Sequence, residues 1–144
     1  MYVSARSDYA VRAMLAVAAQ GQDLVKAATL AKAQDIPLSF LQGILLDLRR
    51  AGLLHSHRGV EGGYALARSA SLITVGDVLR AVSGSLTTVR GLPADVATYH
   101  GVATGLREVW LAVHSAIEEV VDRTSLADLL SPDRPATVAG HRTG

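Results

Sequence analysis

Six basic side chains fall between positions 49 and 68: Arg49, Arg50, His55, His57, Arg58 and Arg68. Only Glu61 opposes them. A cationic stripe of this kind is suited to phosphate, whose oxygens match a guanidinium fork. Three glycines, Gly59, Gly62 and Gly63, sit inside the stripe, in RGVEGGYALA (58–67). Glycine-rich turns bring backbone N–H groups close to phosphate, so the stretch invites two readings, nucleotide or nucleic acid. The nucleotide reading fits poorly. The segment has no Gly-Lys-Ser/Thr and no GxGxxG, and it leads into alternating residues rather than a helix, so no helix N-terminus awaits a phosphate. His55 and His57 share one face of an alternating run and could chelate a metal. Two ligands are too few for a typical site, so phosphate contact is the preferred role and no metal is expected.

The elements that must hold these groups can be read from periodicity. Residues 4–20 form a helix with Tyr9, Ala13, Met14 and Val17 on one face and Ser4 or Ser7 as cap. QGQD (20–23) breaks it. A short helix covers Thr29–Ala33, with Leu30 inward. QDIP (34–37) is a turn, because Pro37 cannot continue a helix and biases Ile36 away from helical angles. A further helix runs from Ser39 to about Ala51, buried along Leu41, Leu45 and Leu48 and stopped by Gly52. LLHSHR, GVEGG and YALA then read as strand, turn and strand. Thr74 caps a helix to Val82 that buries Val75, Val78, Leu79 and Val82. Residues 85–101 have no clean period and read as a loop with at most one helical turn. The clearest helix spans 103–122, with Leu106, Val109, Trp110, Val113, Ile117 and Val121 on one stripe. SLADLL (125–130) adds a turn, and the tail from 131 to 144 is expected to be disordered.

Composition narrows the class. The chain has 144 residues, 49% hydrophobic and 4% aromatic, with net charge +1. That is one globular unit with a core of Leu, Val and Ala, mainly α with a small β-hairpin. It has no cysteine. Disulfides, cysteine nucleophiles and cysteine-held iron–sulfur clusters are therefore excluded as chemistry of this chain. The lack of cysteine, of a signal-peptide pattern and of a long apolar run leads to the expectation of a cytoplasmic protein with no membrane association. No serine elbow, P-loop, HExxH or catalytic carboxylate pair is present, so no enzymatic activity is expected. Glu118 and Glu119 are adjacent and point to different sides of a helix.

Three helices followed by a β-hairpin give the element order of a winged helix-turn-helix. In that arrangement the second helix of the motif enters the major groove of double-stranded DNA with its N-terminal residues at base edges. Those residues are Pro37, Leu38, Ser39, Phe40 and Gln42. Ser39 and Gln42 can hydrogen-bond bases, and Gln suits adenine N6/N7. Phe40 can pack on a thymine methyl or on sugar. Arg58 at the wing tip suits a narrow minor groove. Lys26, Arg49, Arg50, His55 and His57 are candidates for phosphate contacts, and Gly59 lets the backbone approach closely. The same fold can also serve as a protein-interaction module, and Arg49–Arg50 can be a solvated helix end.

SDYAVRAMLAVA (7–18), LAKAQDIPLSFLQGILLDLRRAGLLHSHRG (30–59), GGYALAR (62–68) and ITVGDVLRAVSG (73–84) together resemble the Rrf2 family of bacterial transcription regulators, the IscR/NsrR-like proteins. The resemblance covers about residues 1–130, and the order and spacing of the four segments carry it. It implies a winged helix-turn-helix over 1–84, an effector or sensor-type loop over 85–102, and a dimerisation helix and terminal turn over 103–130. It implies a homodimer, most often a repressor, in which the long helices pack together through Leu106, Val109, Trp110, Val113, Ile117 and Val121 and the first helix assists. The family's base-reading positions fall on Pro37, Ser39, Phe40 and Gln42, and its minor-groove arginine on Arg58. Gln42 replaces a glutamate found in IscR. The usual Gly-Pro-Gly-Gly-Gly wing here reads Gly59, Val60, Glu61, Gly62, Gly63, and Glu61 puts negative charge near phosphate.

The loop departs from the family. Cluster-binding members place three cysteines between about positions 90 and 105, where this chain has RGLPADVATYHGVATG. A histidine ligand of IscR falls on Arg107, and Asp8 matches an oxygen-ligand position of some members. The expectation is a regulator with no iron–sulfur cluster and no other cofactor. In its place stand three options: an effector near Arg90, Tyr99, His100 or Trp110, a partner protein, or a constitutive repressor. The alternative to a regulator of this kind is a co-regulator controlled by a partner enzyme, with weak or lost DNA binding.

Overall fold

A computed structural model describes residues 1–132. Residues 133–144, most of the tail expected to be disordered, lie outside the described residues. The first helix, α1 (Ala5–Ala18), starts where extended Ser4 accepts a hydrogen bond from the Ser7 N–H at 3.1 Å. It buries Ala13, Met14 and Val17, as its pattern predicts, and Ala10 besides, whereas Tyr9 is only half-buried. Next, α2 (Ala27–Gln34) is longer at its start than its pattern suggests and ends at Asp35, which takes a left-handed conformation with φ 54°. Asp tolerates that region better than most residues. Buried Ile36 and then Pro37 complete the turn. Pro37 caps α3 (Leu38–Arg50), so this helix begins one residue before Ser39.

Leu41, Ile44, Leu45 and Leu48 of α3 are fully buried against α1 and its neighbours. Each such side chain contributes about 2 kcal/mol of burial. Ile44 joins the expected stripe because it lies three residues from Leu41 and four from Leu48. The hairpin pairs β1 (Leu54–His57) with β2 (Gly63–Leu66) in antiparallel register, Leu54 opposite Leu66 and His57 opposite Gly63. Val25 adds a third, one-residue strand. Its N–H donates to the Tyr64 carbonyl at 2.9 Å, and the Tyr64 N–H donates back at 2.8 Å. A side chain at position 63 would lie 2.8 Å from the Val25 carbonyl oxygen, so this close approach requires Gly63.

Thr74 and Asp77 form a capping box at the start of α4 (Val75–Ser83). Val78 and Leu79 are buried there, whereas Val75 and Val82 are only half-buried, contrary to the expectation for them. The 85–101 segment holds more structure than its sequence suggests. A tight hairpin joins β3 (Thr88–Val89) to β4 (Leu92–Pro93) through Arg90 and Gly91, both with positive φ. Two single 3-10 turns follow, at Ala94–Val96 and Gly101–Ala103. The long helix α5 (Leu106–Asp122) therefore begins later than position 103. A second capping box, Ser125 with Asp128, opens α6 (Leu126–Leu130). Leu126 is fully buried in the main core, and its N–H donates to the Ile73 carbonyl at 2.9 Å. The architecture is mainly helical with a small wing.

Candidate nucleic-acid interface

The N-terminal turn of α3 stands out of the body. Pro37, Leu38, Ser39, Phe40 and Gln42 are all exposed, while Leu41 and Ile44 hold the opposite face in the core. Phe40, 41% exposed, meets the Tyr9 ring edge to face at 5.6 Å between centroids. Exposed apolar side chains on a groove-sized helix face are what contact with base methyls and sugars requires.

The wing sits beside the other end of α3. His55, His57, Arg58 and Gly59 are exposed. The two imidazoles stack edge to face, 5.2 Å apart. At the tip the Gly62 N–H donates to the Gly59 carbonyl at 3.0 Å. A side chain at 62 would come within 2.2 Å of the His57 carbonyl oxygen, so the tip can fold back only on glycine. Lys26, Arg49, His57, Arg58 and the backbone of Gly59 and Gly62 line one open recess. Lys26 Nζ reaches the Gly59 carbonyl at 3.5 Å. Elements far apart in sequence thus bring Arg49, His57 and Arg58 of the stripe together with Lys26, while Arg50, His55 and Arg68 do not line the recess. Arg49, Arg50 and Arg58 make no ion pair among the described residues. Glu61 is exposed at the wing tip and pairs with none of them.

The loop residues divide. Trp110 Nε1 donates to the Tyr99 hydroxyl at 2.8 Å, and the Arg90 guanidinium carbon lies 5.3 Å from the Tyr99 ring centroid. These three form one cluster, which loop residues without a period gave no means to foresee. His100 is exposed and joins none of these contacts. Arg107 donates to the Asp95 carbonyl at 2.9 Å, tying the loop to α5. Along α5, Leu106, Val109 and Val113 are exposed, Trp110 and Ile117 are half-buried, and Val121 is buried. A cavity of about 720 Å³ opens beside this stripe, between the N-terminal residues, Leu86, Thr87 and Trp110.

Sequence reasoning missed two constellations. One is the brace in which Arg12 holds Gln34 and lies against the Tyr9 ring, which in turn meets Phe40. The other is Arg80, which bridges α4 to Asp122 and Glu118 of α5. Its signal was weak, a single arginine in the last turn of a short helix.

An exposed helix N-terminus, a glycine-hinged wing and a shared set of uncommitted cations define a winged helix-turn-helix DNA-binding protein. Comparison with known proteins narrows the class. The family model of Rrf2, described as an iron-dependent transcriptional regulator, matches residues 3–132, and the chain belongs to that family. It is 45% identical over 141 residues to Rv1287 of Mycobacterium tuberculosis, covering 96% of this chain and 87% of the relative. The solved structure of CymR, the global cysteine regulator of B. subtilis, superposes with a TM-score of 0.75 at 30% identity, over 90% of this chain and 95% of CymR. IscR of T. potens superposes at 0.73 with 36% identity, over 90% of this chain and 86% of that one. The chain is a DNA-binding transcription regulator.

Iron–sulfur chemistry, which family membership brings to mind, does not fit the donors here. The sequence contains no cysteine. Asp8 is paired with Arg12 at 3.1 Å, and Arg107 is committed to the Asp95 carbonyl. Among the described residues no three His, Cys, Asp or Glu side chains gather as ligands for a metal ion. No described helix is long and apolar enough to cross a membrane.

Proposed function

We propose that this chain is a homodimeric, sequence-specific repressor, cytoplasmic and without enzymatic activity, that works without an iron–sulfur cluster. Residues 1–84 carry DNA recognition, 85–102 form the sensor-type loop, and 103–130 carry dimerisation. Ser39, Phe40 and Gln42, with Pro37, read base edges; Arg58 enters the minor groove; Arg49, Arg50, His57 and the Gly59 backbone hold phosphate. The observation that carries this reading is the convergence of Lys26, Arg49, His57 and Arg58 on one recess beside the exposed start of α3. The α5 stripe, with Val109 at 50% exposure, supports a second copy as its cover. The test is binding to duplex DNA from the protein's own promoter region over a salt series. Affinity should fall steeply as salt rises, because each neutralised phosphate releases counterions. Salt-independent binding would overturn the reading. Stoichiometric iron and sulfide in an anaerobically purified sample would overturn its cluster-free part.

A second reading assigns control of the loop to a partner protein. Leu92, Val96 and Val102 are exposed apolar residues of the loop and favour it. An effector seated near Arg90, Tyr99 and Trp110 is the small-molecule version of the same idea.

A further inference from the structure

The first helix does more than fill the core. It touches α3 at both ends. Near the C-terminal half of α3, Arg6 pairs with Asp47, and Arg6 Nε also donates to the Val82 carbonyl of α4 at 3.2 Å. Near the N-terminal turn, Tyr9 presents its ring to Phe40. Arg12 lies behind Tyr9, with its guanidinium carbon 5.3 Å from the ring centroid.

Arg12 makes three side-chain hydrogen bonds. Its Nη2 donates to the carbonyl of Gln34, the last residue of α2. Its Nε donates to Gln34 Oε1 at 3.3 Å, and its Nη1 to Asp8 Oδ2 at 3.1 Å. A cation at the C-terminus of α2 meets the negative end of that helix and satisfies a carbonyl the helix leaves open. Asp35 and Ile36, the turn between α2 and α3, follow directly. One side chain therefore fixes the end of α2 and the ring that touches the start of α3. Arg49, Arg50 and Arg58, with no partner carboxylate among the described residues, contrast with it: Arg12 is already tied to Asp8 and Gln34.

We propose that Tyr9 and Arg12 are positioning residues for base reading: they fix the direction of the α3 N-terminus, and so the place of Ser39, Phe40 and Gln42, without contacting DNA. This rests on the DNA-binding reading above. Base discrimination depends on hydrogen-bond geometry at base edges, whereas phosphate contacts tolerate small shifts. Loosening the brace should therefore lower specific affinity and leave non-specific affinity alone.

The experiment uses the full chain and sites selected from a random duplex pool by the unsubstituted protein. Dissociation constants are measured for the selected duplex and for an unrelated duplex of equal length, each over a salt series. For Tyr9→Leu the ratio of the two affinities should fall about tenfold, with the salt slope unchanged. Tyr9→Phe keeps the ring and should retain the ratio. Arg12→Gln removes the cation from beside Asp8 and the Tyr9 ring and should lower the ratio in the same direction, which keeps the test open if Tyr9→Leu fails to fold. An equal loss on both duplexes would overturn the proposal, because it would place these residues at phosphate or in general stability. So would an unchanged ratio in Tyr9→Leu and Arg12→Gln. If the unsubstituted chain selects no sequence, the base-reading assignment itself fails and takes this proposal with it. If it selects one and the ratio does not move, only the proposal fails.

Discussion

The arginines on two sides of the molecule differ in what they already hold. On the α4–α5 side, Arg80 grips Asp122 with two hydrogen bonds of 2.8 Å and reaches Glu118 at 3.1 Å. Arg123 pairs with Glu119 at 2.9 Å, and Arg107 donates to a loop carbonyl. On the α3–wing side, Arg49, Arg50 and Arg58 point their charge at no acid among the described residues. Apolar residues divide the other way. The stripe of α3 is buried, and that of α5 is exposed along Leu106, Val109 and Val113. The α3–wing side is thus short of anions, and the α5 side is short of apolar cover. The first deficiency suits a phosphate backbone and the second a like helix.

The comparison is broken most severely by charging the α5 stripe. Val109→Asp with Val113→Asp sits on exposed positions, so the fold should survive while the dimer does not. Light scattering after size exclusion should give the monomer mass. Affinity for a two-half-site duplex should fall about 100-fold, because the second half-site loses its effective concentration. A dimer that persists would reassign the stripe.

A smaller loss is expected at the wing hinge. In Gly62→Ala the new methyl would meet the His57 carbonyl at 2.2 Å, and backbone cannot move aside cheaply. Thermal or urea unfolding should register about 1–3 kcal/mol, with weakened DNA binding besides. Unchanged stability and affinity would mean the tip adopts another path.

Within the basic side itself, Arg49→Ala should weaken binding to any duplex and reduce the salt slope by about one, whereas Gln42→Ala should relax base preference at one position by about 1 kcal/mol and leave the slope alone. Matching effects from the two variants would contradict their division of labour.

How far the sequence foretold these sides depends on which interactions are local. The helix of 38–50 was legible because Leu41, Leu45 and Leu48 repeat along it, and the hairpin because glycines separate two alternating runs. Thr74 is legible as a cap, whereas 125–130 reads only as a turn and its capping box, Ser125 with Asp128, appears in the structure. The cationic residues of the interface were nameable from type alone. Their gathering was only partly so, since Lys26 joins them through the Val25–Tyr64 pairing, a contact across 39 positions with no periodic trace. The loop was unreadable for a related reason. Arg90 reaches the Tyr99–Trp110 pair from a turn of two left-handed residues, itself and Gly91, and nothing in the pattern demands that turn. Arg12 shows its i+4 partner Asp8 in the sequence, but not its grip on Gln34, because the second comes from tertiary packing.

The smallest effect concerns the engaged side. Hydrogen bonds from Arg80 hold the Asp122 carboxyl below its ordinary pKa, against the opposing effect of partial burial and with help from the guanidinium charge. A carboxyl depressed on folding stabilises the fold at all pH above its unfolded value near 3.9, and that contribution is lost as pH falls through the lower folded value. Both partners are more than a third exposed, so solvent screening limits the pair to about 0.5–1 kcal/mol. Asp122→Asn should therefore lower stability at neutral pH by that amount, and the difference from the parent should vanish in strong acid. Gly76 supplies a second handle. A side chain there would lie 1.9 Å from Asp122 Oδ1, an atom at the end of a movable chain. Gly76→Ala should push the carboxylate off Arg80 and cost no more than the pair, with the same pH dependence lost. Unchanged stability in Asp122→Asn, or a pH dependence that survives both variants, would mean that α4 and α5 are joined chiefly by their apolar contact and that Arg80 merely decorates it.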